Sequence, residues 1–165
     1  MVDFVDAVKQ FTEGDEDYDL WILLTRARNL VFRARELELL RYGLTPEQAL
    51  ILCIIHNSEE KLTPARIARL ILRKPHTMSA MIERMEEKGL LVKNTDPKRK
   101  NMIRIGITEK GKQAYEITSK RGPIHRIMGA LSENERDDLR KTLGTIINKS
   151  VDELGMGRDN LPSSE

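Results

Sequence analysis

Residues 63–111 read TPARIARLILRKPHTMSAMIERMEEKGLLVKNTDPKRKNMIRIGITEKG, and three changes of pattern inside them decide the fold. Thr63-Pro64 pairs a side-chain cap with a proline at the first helical position, a combination that opens helices. The short helix it opens places Ile67, Ala68, Leu70 and Ile71 inward and Arg66, Arg69 and Arg73 outward. Lys74-Pro75 then breaks the chain. The spacing predicts a further helix from about His76 to Lys88, with Met78, Met81, Ile82 and Met85 as its buried stripe and Gly89 as its stop. Next the period drops from 3.6 to 2. Leu90 to Thr95 reads as a strand, Asp96 to Asn101 as a charged turn, and Met102 to Ile107 as a second strand with Ile103, Ile105 and Ile107 on one face. Helix, tight turn, helix and basic hairpin, in that order, make a winged helix-turn-helix.

Upstream, Thr45-Pro46-Glu47-Gln48 carries a cap, a proline and the glutamine of a capping box. The helix it opens, Ala49 to Ile55, is apolar nearly all round and is expected to be buried. Before it, Leu20, Leu23, Leu24, Ala27, Leu30, Val31, Ala34, Leu37 and Leu40 recur at helical spacing. This predicts a helix over 18–42, roughly 37 Å long at 1.5 Å per residue. Asp15, Asp17 and Asp19 suit the positive end of its dipole, and Gly43 ends it. Downstream, Thr108 caps a helix expected to reach about Arg121, where Gly122-Pro123 interrupts it. Ser132 and Glu135 form a second capping box. The helix that follows carries a stripe of Leu139, Leu143, Ile146, Ile147, Val151 and Leu154.

The chain of 165 residues is short enough for one domain with a helical appendage. The expected fold is mainly α with a small β-hairpin wing: a winged helix-turn-helix with long N- and C-terminal dimerisation helices. Residues 45–112 form the DNA-binding domain in this reading, 15–44 and 113–154 a helical dimerisation region, and 155–165 a flexible tail. The dimer is expected on physical grounds. The terminal apolar stripes are too long for a compact winged-helix core to cover, and left open they would form a large hydrophobic patch. A two-fold dimer closes them and sets two recognition helices about 34 Å apart, one turn of DNA.

Net charge is only +2, but it is unevenly placed. Residues 1–20 carry −6 and residues 61–112 carry +9, so the whole positive excess lies in the helix-turn-helix and its hairpin. A local basic field of this kind points to a polyanionic partner. No run approaches 18 uncharged apolar residues, so no membrane partner is expected. MVDFVDAVKQ lacks the basic and apolar regions of a signal peptide, which places the chain in the cytoplasm. A single cysteine, Cys53, excludes a disulfide scaffold and is read as a buried, inert thiol. One Cys and three scattered His argue against a metal site. There is no glycine-rich phosphate loop and no nucleophile set, so neither a cofactor nor enzymatic activity is expected.

The expected partner is double-stranded DNA. On the recognition helix the candidate contacts are Lys74, His76, Thr77, Ser79, Ala80 and Arg84, which remain outward once the Met/Ile stripe is removed. For the wing and phosphates they are Thr63, Arg66, Lys98, Arg99, Lys100 and Arg104. A long cation on a thin hairpin suits the minor groove, where the potential is most negative. The competing reading is a winged-helix protein-interaction module whose basic hairpin meets an acidic partner.

The runs Ile67-Ala68, Pro75-His76-Thr77-Met78, Ile82 to Leu91, Asp96-Pro97 and Ile105-Gly106-Ile107-Thr108-Glu109-Lys110-Gly111 resemble those of MarR-family transcriptional regulators. The resemblance is most specific over 45–115 and extends over about 18–154. It implies a winged-helix homodimer whose first and last helices interlock. It also implies a palindromic operator and a repressor released by a small, often aromatic, effector, whose contacts it does not assign to residues here. The family's wing commonly reads Asp-Pro-x-Asp-Arg-Arg. Here Arg99 stands in place of the second acid, and Lys100-Asn101 in place of the two arginines. Ala80 stands where many members place a longer, base-reading residue. Thiol-oxidised members carry a cysteine near the first helix, and this chain has none there.

Overall fold

A computed structural model of the chain describes residues 4–96, 99 and 101–156. Ten elements follow one another: α1 (Phe4–Lys9), α2 (Glu16–Leu40), α3 (Pro46–His56), α4 (Pro64–Leu70), α5 (Pro75–Glu87), β1 (Leu91–Thr95), β2 (Ile103–Ile107), α6 (Glu109–Thr118), α7 (Gly122–Met128) and α8 (Glu133–Glu153). The two strands pair antiparallel, with Leu91 opposite Ile107 and Thr95 opposite Ile103. A single bridge adds Leu62 beside Ile105, where the Ile105 amide donates to the Leu62 carbonyl at 2.8 Å.

Local capping explains where the helices begin. Thr45 accepts from the Gln48 amide while Gln48 reaches back, and Ser132 and Glu135 do the same at the start of α8. The bonds from Ser132 hold the Glu135 carboxyl below its ordinary pKa. Thr63 and Thr108 each accept from the amide three residues on. Gly89, at φ +69°, turns the chain from α5 into β1 in a conformation that side chains resist. Gly111 meets a different need. A Cβ there would lie 2.2 Å from the Leu90 carbonyl oxygen, so only glycine lets α6 approach the start of β1.

One core joins these elements. Leu39 from α2, Ile51 and Leu52 from α3, Ile67 from α4, Met78, Ile82 and Met85 from α5, and Ile105 from β2 are all fully buried. The long helices are different. Leu30 is 71% exposed and Leu37 and Leu40 are also open to solvent, while on α8 only Val151 is buried.

Four local expectations need correction. The short helix α1 precedes the expected first helix and packs on α2. Leu50, on the helix expected to be wholly buried, is 46% exposed, because that side of α3 faces a cavity. Ile103, expected on the buried face of its strand with Ile105, is exposed near the end of the hairpin. The helix expected to reach Arg121 stops at Thr118, and a separate helix, α7, follows. The break is held from α2. Arg35 donates to the Thr118 carbonyl at 2.7 Å, and Glu38 accepts from the Gly122 amide at 3.1 Å. Between these two anchors Arg121 takes a left-handed conformation, φ +47°. Among the described residues no helix is long and apolar enough to cross a membrane.

Candidate nucleic-acid interface

The recognition helix α5 is two-sided. Met78, Ile82 and Met85 lock one side into the core, and Lys74, His76, Thr77, Ser79 and Arg84 lie exposed. Ala80 is only half-exposed, so it offers a small flat surface between them. Lys74 occupies the N-cap position in extended conformation but makes no side-chain cap, and its ammonium pairs with no acid among the described residues.

The other end of α5 is tied to the hairpin. The Lys93 amide donates to Glu86 at 3.2 Å, and its ammonium meets the same carboxylate at 3.0 Å. The hydrogen bond from the Lys93 side chain lowers the Glu86 pKa first, with its backbone bond and charge adding to the effect. Strand β1 is thereby held at a fixed angle to the recognition helix.

The wing is pinned by one carboxylate. Asp96 accepts from the Arg99 amide at 3.0 Å and from the Arg104 Nε at 2.8 Å. The Arg104 guanidinium also donates to the Lys61 carbonyl at 2.9 Å. Backbone bonds from Asp96 to Met102 and from Met102 to Arg99 close the turn. Arg104 was expected among the phosphate contacts. The structure instead places it at the wing's root, its charge opposite Asp96 and its side chain spanning to the segment before α4. The second acid of the family's wing pattern is therefore not needed to hold this hairpin. Arg99 is exposed at the tip, while Lys98 and Lys100 lie outside the described residues. Thr63 and Arg66 are both half-buried, and the Thr63 hydroxyl oxygen is engaged in capping α4 at 3.2 Å from the Arg66 amide.

A second feature escaped the sequence reading. A cavity of about 290 Å³ opens between α2, α3 and α6, lined by Arg35, Leu50, Cys53, Tyr115 and Arg121 among others. Tyr115 stacks on His56 with ring centroids 4.1 Å apart and accepts from Asn57 at 3.2 Å. The Arg121 guanidinium lies 3.1 Å from the Cys53 sulfur. Cys53, expected to be buried and remote from charge, is half-exposed and sits beside a cation. Sequence reasoning missed this because the two residues are 68 positions apart and meet only through the left-handed break at Arg121.

Residues 42–100 match the sequence profile of the MarR family. No curated protein matches the chain in sequence. Among solved structures, the organohalide-sensing transcriptional regulator RdhR in its 2,4-dichlorophenol-bound form is 26% identical. The match covers 94% of this chain and 93% of that one, with a TM-score of 0.82. AbsC, a MarR-family regulator from Streptomyces coelicolor, is 20% identical over 82% of this chain and 95% of its own, with a TM-score of 0.76. A MarR mutant from E. coli, solved with operator DNA, is 18% identical over 80% and 96% respectively, with a TM-score of 0.73. At those identities the last two speak for the fold alone. With the helix-turn-helix, the pinned hairpin and a family sequence pattern over residues 42–100 in one chain, this protein is similar in sequence and fold to the MarR family of winged-helix transcriptional regulators.

Proposed function

We propose that the chain is a cytoplasmic, homodimeric repressor that binds a palindromic operator and is released by a small ligand. The observation that carries this reading is the open face of α5, with His76, Thr77 and Ser79 in its first turns, set at a fixed angle to a hairpin whose tip presents Arg99. Lys74, His76, Thr77, Ser79, Ala80 and Arg84 enter the major groove in this reading. Thr63, Arg66, Lys98, Arg99 and Lys100 meet phosphates or the minor groove, and Arg104 holds the wing for them. Residues 45–112 serve as the DNA-binding unit, and 15–44 with 113–154 as the dimerisation region.

Surface area supports the dimer. A compact monomer of 19.0 kDa exposes about 8,400 Å². This chain alone exposes 12231 Å², nearly half as much again. The excess, roughly 3,800 Å² on one protomer, is more than the share that one subunit of a typical obligate dimer buries, and it includes the apolar stripes of α2 and α8. The ligand is assigned to the α2–α3–α6 cavity, which joins the α2 shaft to the helix-turn-helix. The dichlorophenol-bound relative supports a small aromatic effector, and Arg35 and Arg121 would favour one that carries negative charge.

Electrophoretic mobility with the gene's own upstream DNA, against an unrelated duplex, tests the proposal. A specific site is expected to bind at least about 10³-fold more tightly, with affinity falling steeply between about 50 and 200 mM salt. Equal affinity for both duplexes, or indifference to salt, would defeat it.

A further inference from the structure

Away from the α5 face and the α2–α3–α6 cavity, a cleft of about 560 Å³ opens at the turn between α4 and α5. Ala65 and Ala68 of α4, Leu72 of the turn and Leu154 from the end of α8 form its apolar walls. Leu72 holds φ +52°, so the turn itself is built on a residue that resists that conformation. Leu72 is 40% exposed and Leu154 71%, although both border the same space. Near the end of α8 Val151 is buried, and its carbonyl accepts from the Met156 amide at 3.0 Å as the chain turns back.

The rim is cationic. Arg69, Arg73 and Lys74 all line the cleft, and among the described residues no acidic side chain does. Arg73 is matched by Glu47 at 2.8 Å, but Arg69 and Lys74 pair with no acid among the described residues. Apolar walls under unmatched guanidinium and ammonium groups complement one chemistry, an aromatic or alkyl body with an anionic head, and the volume is that of a small-molecule site. We propose that this cleft is a second ligand site, taking a small amphipathic carboxylate or sulfonate. Such an anion would neutralise Arg69 and Lys74 at the very start of α5 and so weaken the grip on DNA. That consequence, unlike the site itself, rests on the DNA-binding reading of α5.

Naphthalene-2-sulfonate added to the ¹⁵N-labelled full chain, without DNA, tests the site. Saturable shifts are expected at the amides of Ala65, Arg69, Leu72 and Leu154. Ala65→Trp, which fills the cleft from an exposed position, should abolish them. Leu50→Trp, which fills the α2–α3–α6 cavity, should leave them. Arg69→Gln should weaken binding at least threefold. Shifts confined to Cys53, Tyr115 and Arg121, shifts spread along the open stripes of α2 and α8, or undiminished binding to folded Ala65→Trp would each overturn the proposal. So would a chain ending at Met156 that shows the same shifts with no probe added, since the cleft would then be the seat of residues 157–165. With duplex present, the probe should lower affinity for wild type and not for Ala65→Trp. A protein that binds no duplex even without probe would count against the DNA reading, not against the cleft.

Discussion

Between Leu39 and Ile105 the chain buries fourteen apolar side chains in one cluster, whereas α8, 21 residues long, buries only Val151. Both regions carry apolar residues at helical spacing, so composition does not separate them. Neighbours do. Each core helix meets partners from its own chain: α3 packs on α6, α4 on α5, and α5 on β1. Among the described residues α8 has no comparable partner. The centre is thus a closed unit, and the terminal helices are half of something.

Substitutions of equal chemistry in the two regions should give unequal results. Ile82→Ala removes a fully buried side chain and should cost about 2–5 kcal/mol in denaturant unfolding. Ile147→Ala, on the open stripe of α8, should leave protomer unfolding nearly unchanged and raise the dimer dissociation constant in sedimentation. Equal losses in unfolding would break the comparison. Gly111→Ala comes next, at roughly 1–3 kcal/mol, because the obstacle is the Leu90 backbone and no flexible side chain can step aside. A neutral result would mean that α6 can slide on β1.

The wing sharpens the same contrast at smaller scale. Asp96→Ala frees both the Arg99 amide and Arg104. It should weaken DNA binding about tenfold, near 1.4 kcal/mol, while the thermal midpoint of the core hardly moves. Arg99→Ala should weaken operator and unrelated DNA alike and make the salt slope shallower by about one. Thr77→Ala should instead spare unrelated DNA and cost about 1–3 kcal/mol on the operator. A titration of both variants on two duplexes at two salt concentrations separates positioning from reading.

The smallest effect is a pH dependence. The Lys93 side chain, bonded to the Glu86 carboxylate, holds it below the usual carboxylate range. A carboxylate whose folded pKa is depressed adds stability above the unfolded pKa, and that stability is lost as pH falls through the folded value. The stability gap between wild type and Glu86→Gln should therefore be present at neutral pH and shrink on acidification below about 4.5. A gap that is constant with pH would show that the Lys93 contact does not depend on charge.

What was legible in the sequence was local. Thr45, Thr63, Thr108 and Ser132 cap the helices their positions foretold, because a cap needs only a partner three residues away. The Met78, Ile82 and Met85 stripe was legible because periodicity and burial are one fact seen twice. The features that escaped require partners far along the chain. Arg104 reads as a free cation until Asp96 and the Lys61 carbonyl are brought to it. The end of α6 depends on Arg35 and Glu38, more than 80 residues upstream. Cys53 reads as buried among apolar neighbours until Arg121 is brought to it. For the candidate interface, the exposed side of α5 was visible in advance, but the placing of Arg104 at the wing's root, apart from exposed Arg99, was not.

Because Val151 is the one buried residue of α8, and Leu154 and Met156 just beyond it border the α4–α5 turn, α8 has the form of a lever with its pivot at the helix-turn-helix. Its 21 residues span about 31 Å. A tilt of about 10° at the pivot moves the Glu133 end by roughly 5 Å, close to one helical turn. Side chains interdigitated with a second subunit cannot follow a displacement of that size gradually, since packed interfaces shift between discrete registers. In the proposed dimer a change of one or two ångströms beside Leu72 would be geared up at the far end into a choice between registers, and the same gearing run backwards would turn a change of register into a small adjustment of the first turn of α5.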